Sequence, residues 1–254
     1  MADDLGWGDV GFNGNQVIQT PSLDKLSHEG LRLTRFYSAA PVCSPTRGSC
    51  LTGRHPYRYG IFFANVGHMR QQELTLAELL REHGYATGHF GKWHLGTLTT
   101  EIADANRGGP KNKEHFSPPW ENGFDTCFST ESKVPTWDPM RKPARGAGSA
   151  GWDALDDDAP SLPYGTRYWT NGKEVTDNLR GDDSRVVMDR ALPFMQQAAR
   201  AGKPFFAVIW FHAPHLPVVA GPEYAKIYAK HDSHRRNYFG CITALDEQVG
   251  RLWN

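Results

Sequence analysis

The chain has 254 residues, which is enough to bury a sizeable core and excludes a peptide-like or disulfide-stapled fold. Its 28 Lys and Arg residues balance its 28 Asp and Glu residues, so no global field steers it toward nucleic acid or an anionic membrane. The longest apolar run, residues 205–211, is far too short to span a bilayer, and the four cysteines are too scattered for a disulfide framework or a paired-cysteine zinc site.

Each end of the chain resembles a segment from the middle of a longer sequence. Met1 is followed by a polar, turn-rich segment with no hydrophobic strand before it, although sites in α/β proteins usually lie just beyond a strand. At the other end, Ile242, Leu245, Val249 and Leu252 form an amphipathic pattern with no glycine or proline stop signal after it. We therefore expect the chain to be truncated at both ends.

The first regular elements in chain order are a helix and a strand. Thr20 is suited to the N-cap and Pro21 to the first helical position, and Gly30 ends the helical pattern. Residues 31–39 then alternate in polarity, which predicts a strand.

The next segment carries a candidate nucleophile. Ser44 is a good N-cap and Pro45 a good first helical residue, which places Cys43 just before a helix N-terminus, where free N–H groups favour an anion. Arg47 falls on the first turn of that helix. The pattern indicates a thiol in an electropositive environment and hence a nucleophile. The alternative is an inert, small buried residue.

Two further helix and strand pairs predict the fold class. Residues 74–83 indicate a short helix followed by a strand over 85–90, and residues 182–201 a longer helix followed by a strand over 205–211. This alternation predicts an α/β fold, with a mainly parallel central sheet and helices on both faces. We interpret residues 97–181 as a loop-rich excursion within one domain that covers residues 1–254.

The excursion is rich in Gly, Pro, Asn and charged residues, and it also holds several tryptophans. These side chains either offer flat apolar faces for sugars or are scattered structural residues, and the sequence leaves both readings open. The tryptophans are Trp120, Trp137, Trp152 and Trp169.

The segment around Cys43 resembles the modification motif of the formylglycine-dependent (type I) sulfatases, a family of the alkaline-phosphatase-like superfamily. Cys43, Pro45 and Arg47 give the pattern Cys-x-Pro-x-Arg, and the residues 51–54 follow as Leu-Thr-Gly-Arg. Other segments similar to landmarks of that family occur in order at residues 2–9, 20–24, 91–96 and 213–217.

The resemblance implies a sulfuric ester hydrolase whose nucleophile is made from Cys43. In that family a formylglycine-generating enzyme or an anaerobic sulfatase-maturing enzyme oxidises the cysteine to formylglycine. One hydroxyl of its hydrate attacks sulfur, and loss of the other hydroxyl's proton expels sulfate. The resemblance implies a carbohydrate or aryl sulfate as substrate, as a small molecule or a polysaccharide, and a periplasmic or secreted location. Neither a nucleic-acid partner nor a membrane span is expected.

Asp3 and Asp4 are adjacent hard oxygen donors in a turn, suited to a divalent cation. A solvated acidic turn is the alternative reading. The resemblance implies that both carboxylates and the modified Cys43 bind Ca²⁺, with Mg²⁺ as the second choice. The family's later Asp-Asn-Gly ligand segment and its second sulfate-binding lysine find no match in this chain.

Lys92, His94 and His215 complete the candidate site. Lys92 and His94 are two residues apart on a predicted extended segment, so we expect both to point to one face, with Trp93 pointing away. His215 follows the predicted strand 205–211, at the end where open sheets hold their sites. The alternative for each is a surface charge or a satisfied histidine. The resemblance implies catalytic roles for these three and Arg47, with Lys92 and His215 binding sulfate.

Two other functions stay open. A phosphatase or phosphonate hydrolase of the same superfamily would use similar metal carboxylates without needing Cys-x-Pro-x-Arg. An inactive, truncated homologue with an unmodified Cys43 would act only in binding. We expect His212, close to His215, to be a packing residue.

Overall fold

The computed structural model of the chain describes residues 1–145 and 152–253. The strands in chain order are β1 (Ala86–Lys92), β2 (Thr126–Thr130), β3 (Ala144–Arg145), β4 (Trp152–Asp153), β5 (Tyr168–Thr170), β6 (Lys173–Glu174) and β7 (Phe205–Trp210). The α-helices are α1 (Pro21–Glu29), α2 (Cys43–Thr52), α3 (Pro56–Tyr59), α4 (Leu76–Glu82), α5 (Asp183–Arg200), α6 (Pro222–Ile227) and α7 (Ser233–Trp253). Short 3₁₀ turns occupy Trp7–Asp9, Gly11–Asn13, Pro110–His115 and Pro119–Glu121.

The central sheet has the strand order β6-β5-β2-β1-β7. Strand β1 pairs in parallel with both β2 and β7, whereas β5 and β6 add to one side in antiparallel orientation. The predicted mainly parallel sheet is therefore confirmed for its centre, and two short antiparallel strands make the whole sheet mixed. Strands β3 and β4 form a separate antiparallel pair.

Residues 1–3 lie alongside β7 and its continuation. The amino group of Met1 donates to the carbonyl of Ile209 at 2.8 Å, and the amide of Phe211 donates to the carbonyl of Met1 at 3.0 Å. The amide of Asp3 then donates to the carbonyl of Ala213 at 3.1 Å, in a parallel arrangement. This pairing carries Asp3 to the carboxyl end of the parallel strands.

Helices cover both faces of the sheet, as predicted, because strand side chains alternate between two cores. One core joins Trp93, Cys127 and Trp210 to side chains of α2 and α4. The other joins Phe90 and Phe128 to the inner faces of α5 and α7. Trp169 is buried in the first core and Trp120 packs against it, so both serve structural roles.

The predicted helices are confirmed, with small differences at their ends. Helix α1 begins at Pro21 after Thr20 and ends before Gly30. Helix α4 begins after Thr75, whose hydroxyl accepts from the amide of Glu78 in a capping box. Helix α5 begins after Asp182, whose carboxylate accepts from the amide of Arg185.

The predicted strand over residues 31–39 is wrong. This segment is irregular, and Leu31, Leu33, Phe36 and Tyr37 are exposed, with Leu31 at 88%. Alternating polarity marks a face that can be buried, but a strand also needs a neighbour for its backbone N–H and C=O groups. No strand pairs with this segment among the residues that the structure describes.

Residues 97–181 also differ from the expected loop-rich excursion. Strand β2 lies in this range and sits next to β1, while β5 and β6 extend the sheet beyond it. These strands have two to five residues, too short for their periodicity to stand out among Gly and Pro. None of the helices described here combines the length and apolar character that crossing a bilayer requires.

Candidate active site

Four parts of the chain meet at the carboxyl end of the parallel strands. Asp3 lies at the end of the segment beside β7, and Cys43 is the first residue of α2. Lys92 is the last residue of β1, and His215 lies in the turn after β7. A carboxylate oxygen of Asp3, the sulfur of Cys43 and a ring nitrogen of His215 lie within 4.8 Å of one another. The structure thus brings together residues that are up to 212 positions apart in the chain.

Asp3 is the centre of a buried charge cluster. Its Oδ2 lies 2.6 Å from Lys92 Nζ, and its Oδ1 lies 3.2 Å from Arg47 Nη2. Burial alone would raise the pKa of Asp3, but the charges of Arg47 and Lys92 outweigh it and hold that pKa well below its usual range. Asp3 thus neutralises only one of its two cationic partners inside the site, while the second carboxylate, that of Asp4, is exposed at the open side.

Lys92 therefore supports the fold as well as the site. Its side chain is fully buried, and removing it would leave Asp3 with one cation in place of two. Breaking a buried ion pair by removing one partner typically costs about 3–5 kcal/mol. A purely functional role for Lys92, without a stability role, is not compatible with this geometry.

Arg47 links helix α2 to the sheet. Its guanidinium is 1% exposed, donates from Nη1 to the carbonyl of Lys92 at 2.8 Å and lies 4.9 Å above the ring of Trp210. The planar guanidinium can form an ion pair, donate a hydrogen bond and stack on an aromatic ring at the same time. A lysine ammonium is less suited to this combination. Arg47 thereby fixes the start of α2 against the end of β1.

Cys43 is the first residue of α2, and Val42 rather than Ser44 occupies the N-cap position. Lys92 Nζ lies 3.5 Å from its sulfur. Burial nevertheless raises the pKa of the Cys43 thiol, although Lys92 and Arg47 act in the opposite direction. The expected electropositive surroundings are present, but the unmodified thiol is held in its neutral form and is not an activated thiolate.

His215 and Asp4 lie at the open side of the cluster. The ring of His215 donates from Nδ1 to the carbonyl of Leu216 at 2.7 Å, which leaves Nε2 at 3.6 Å from an oxygen of Asp4. Burial and the charge of Lys92 lower the pKa of His215, so its ring is neutral at pH 7. Asp4 has a left-handed backbone (φ 66°) and an exposed side chain, whereas Asp3 beside it is buried.

His94 lies where the extended segment of β1 ends. Its φ of 57° ends the extended segment at Trp93, so the strand alternation that would place Lys92 and His94 on one face does not reach His94. Trp93 does point away, into the core. The hydrogen bond of His94 goes to Asn65, with 2.8 Å between Nε2 and Oδ1.

The site offers a hard divalent cation both suitable and unsuitable donors. The carboxylates of Asp3 and Asp4 are suitable, whereas the sulfur of Cys43 and the nitrogen of His215 are softer donors. Oxidation of Cys43 to formylglycine replaces the sulfur by oxygen. The residues present then fit part of an oxygen site, since Ca²⁺ takes 6–8 oxygen ligands.

An open cleft of about 740 Å³ lies beside the cluster. Asp3, Asp4, Cys43 and Arg47 contribute to its wall, so a ligand in the cleft would reach the charge cluster directly. The wall is made of residues 1–5, 36–43, 46–47 and 49–50.

Sequence reasoning missed several residues that shape the site. Trp210 lies beneath Arg47, Asn65 binds His94, and Glu131 pairs with Arg107 at 3.3 Å near His94. Asn65 lies 29 positions before His94, and no periodicity or motif connects the two. His212, expected to be a packing residue, is fully buried and binds Asp183 and Thr130.

Comparison with protein families gives one match, to the family model described as Sulfatase, over residues 1–254. The chain is 30% identical to N-acetylgalactosamine-6-sulfatase of Canis lupus familiaris and 33% identical to arylsulfatase G of Mus musculus. Each alignment covers 99% of this chain but only 45% and 46% of the relative. The chain thus spans about half the length of the curated relatives it matches.

Solved structures show the same fold. The crystal structure of Ps i-CgsB matches with a TM-score of 0.77 and 28% identity, covering 99% of this chain and 52% of that one. Its complex with k-i-k-neocarrahexaose matches at 0.76. The phosphonate monoester hydrolase of Agrobacterium radiobacter matches at 0.61 with 19% identity over 99% of this chain and 57% of its own, which shows a common fold alone.

Proposed function

Because this chain belongs to the sulfatase family, we propose that the protein hydrolyses sulfate esters and that residue 43 is the position of the nucleophile. The observation that carries the proposal is the contact between Lys92 Nζ and the Cys43 sulfur at the first turn of α2, beside the Asp3 carboxylate. A cation at that atom would stabilise an anion there.

The chemistry comes from the oxidised residue and from the side chains around it. Formylglycine, when present as its hydrate, supplies two hydroxyls on one carbon, one to attack sulfur and one whose proton loss expels sulfate. Lys92 and Arg47 provide the positive charge that holds sulfate oxygens and the charge that develops on them. His215 keeps an unprotonated Nε2, which would accept the proton that the attacking hydroxyl loses and then pass that proton to the leaving ester oxygen.

The neutral thiol of Cys43 supports this route rather than direct thiol catalysis. A cysteine nucleophile needs a lowered pKa, and burial raises the pKa of Cys43 instead. A residue that is oxidised before it acts has no such requirement. We therefore assign Cys43 as the precursor that a formylglycine-generating or anaerobic sulfatase-maturing enzyme would modify.

We further propose that Asp3, Asp4 and the oxidised residue 43 hold Ca²⁺. Calcium accepts carboxylates in irregular geometry, whereas Mg²⁺ demands a near-ideal octahedron. Asp4 is exposed on a left-handed turn beside buried Asp3, an arrangement that leaves its oxygens free to bind. Further ligands are needed to complete the coordination of the ion.

The substrate class is proposed to be a sulfated carbohydrate, as a small molecule or within a polysaccharide. The names of the relatives support it, because one is an N-acetylgalactosamine-6-sulfatase and one similar structure holds a neocarrahexaose. An aryl sulfate serves as a general assay substrate. A periplasmic or secreted location is likewise proposed on the family resemblance, and cell fractionation tests it.

The test uses the protein coexpressed with a maturing enzyme. Cys43→Ala and Cys43→Ser are expected to lower aryl sulfate hydrolysis at least about a hundredfold, because the serine ester cannot eliminate sulfate. Cys50→Ala is the matched control, since Cys50 is an exposed cysteine in the same helix. Peptide mass should show oxygen in place of sulfur at residue 43.

The alternatives give different results in the same experiment. A phosphatase or phosphonate hydrolase would prefer the aryl phosphate or phosphonate and keep its activity in Cys43→Ala. A homologue that acts only in binding would retain sulfur at residue 43 and hydrolyse none of these esters. Either result would exclude the sulfatase proposal.

A further inference from the structure

His94 has two ring nitrogens in very different surroundings. Nε2 lies 2.8 Å from the side-chain oxygen of Asn65, whereas Nδ1 is buried and has no hydrogen-bond partner among the described residues. The side chain is only 4% exposed. Burial, and then the positive charges of Lys92, Arg47 and Arg107, hold the pKa of His94 well below its usual value, so the ring is neutral.

Asn65 is itself oriented by a second asparagine. The amide nitrogen of Asn106 donates to Asn65 Oδ1 at 3.1 Å and to Ser132 Oγ at 2.9 Å. With its oxygen toward Asn106, Asn65 can only accept from His94, so the hydrogen of the neutral ring is on Nε2. The network runs from Ser132 through Asn106 and Asn65 to His94.

The reversed network would be less favourable. Turning both amides would make Asn65 donate to Nε2 and would place the ring hydrogen on Nδ1. That hydrogen would be a buried donor without an acceptor, a rare and costly arrangement.

We propose that Asn65 is a positioning residue that holds His94 in the tautomer with hydrogen on Nε2, leaving Nδ1 as a proton acceptor. The use of that acceptor in sulfate release rests on the proposed function, whereas the tautomer itself does not. Asn65 and His94 both have left-handed backbones, with φ of 63° and 57°.

The test is the ¹⁵N spectrum of the histidine rings at pH 7, which distinguishes protonated from unprotonated ring nitrogens. His94→Gln assigns the His94 signals. The expected result is a protonated Nε2 and an unprotonated Nδ1. His212 is the internal reference for a protonated Nδ1, because its Nδ1 lies 2.7 Å from the Asp183 carboxylate. A protonated Nδ1 on His94 would overturn the proposal.

The variants test the role of Asn65. Asn65→Gly keeps the left-handed backbone and removes the amide, so the Nε2 hydrogen of His94 is expected to lose its protein acceptor, with a shifted Nε2 signal and faster exchange of its proton. Asn65→Asp keeps an acceptor and is expected to retain the Nε2 tautomer. Asn171→Gly is the control, because Asn171 is also left-handed (φ 44°) but binds the carbonyl of Asp125. Unchanged His94 signals in Asn65→Gly, with the His212 pattern intact, would refute the role of Asn65.

Kinetics separates this inference from the proposed function. In the active enzyme, Asn65→Gly is expected to lower kcat for an aryl sulfate about tenfold with little change in KM, and Asn65→Asp to recover part of the loss. If the wild-type protein shows the expected tautomer but no sulfatase activity, the proposed function fails and the assignment of Asn65 stands. If activity is present and both Asn65 variants keep the wild-type kcat, Asn65 has no positioning role.

Discussion

Glu131 is a carboxylic acid inside the protein. Its side chain is fully buried, its Oε1 lies 3.3 Å from Arg107 Nε, and its Oε2 has no partner among the described residues. Burial raises the pKa of Glu131 to about 7, although Arg107 acts against the shift. The folded protein therefore keeps a proton on this group at pH values where the unfolded chain has lost it.

The free energy of unfolding should consequently depend on pH through Glu131. The folded pKa is above the unfolded value of 4.5, so the contribution is fully present below pH 4.5 and is lost as the pH rises to about 7. The shift corresponds to up to about 3 kcal/mol. Urea unfolding at several pH values should show a smaller fall in stability for Glu131→Gln than for the wild type.

Glu101→Gln provides the control for that measurement, because Glu101 is exposed and its substitution should leave the pH dependence unchanged. Stability curves of the wild type and Glu131→Gln that stay parallel between pH 4.5 and 7 would contradict the assignment. They would mean that Arg107 keeps Glu131 ionised in the folded protein.

At the scale of elements, β1 depends on a close approach to β7. Gly91 has a left-handed φ of 101° and lies opposite Trp210 in the parallel pair. A Cβ at this position would lie 2.0 Å from the carbonyl oxygen of Trp210. Only glycine permits this approach, and the next residue is Lys92, so the pairing of β1 and β7 positions the charge cluster.

Gly91→Ala should therefore destabilise the protein strongly. The side chain would meet backbone rather than a movable side chain, so about 1–3 kcal/mol of stability should be lost in addition to the backbone strain. Gly172→Ala is the matched control, because Gly172 also has a positive φ (83°) but nothing within 4 Å of its added Cβ. That variant should lose about 1 kcal/mol from backbone strain alone.

Urea unfolding of the two glycine variants separates the contact with β7 from the strain. Equal losses in Gly91→Ala and Gly172→Ala would show that the approach of β1 to β7 is looser than the structure indicates. A larger loss in Gly91→Ala would confirm that β1 is held close to β7 at the site.

At the scale of the whole molecule, charge is balanced globally and concentrated locally. The chain has no net charge, yet two buried cations, Arg47 and Lys92, lie together at the site beside Asp3. A ligand that binds only the folded state stabilises it according to its concentration and affinity. Sulfate should therefore raise the unfolding temperature more than chloride at equal ionic strength.

His215→Ala tests whether this stabilisation arises at the site. Sulfate also stabilises proteins by exclusion from their surfaces, and this general effect should remain in the variant. The difference between the wild type and His215→Ala at saturating sulfate should be about 1–3 kcal/mol. An identical response to sulfate in both proteins would show that His215 does not contribute to binding the anion.

Local signals in the sequence were sufficient to predict the helices and the principal residues of the site. Capping residues and apolar periodicity report the conformation of a few turns, so α1, α4 and α5 were predictable from Thr20, Thr75 and Asp182 onward. The Cys43 motif and the positions of Lys92 and His215 at strand ends also indicated which residues meet, and the structure brings them together.

Contacts between distant residues were decided only by the tertiary structure. Periodicity shows which face of a segment is apolar but not which neighbour it pairs with, so β2 next to β1 and the irregular segment 31–39 could not be foreseen. The neutral thiol of Cys43 and the proton on Glu131 depend on burial, which the fold creates. The Asn65 contact to His94 likewise joins two residues 29 positions apart, which only the fold brings within hydrogen-bond distance.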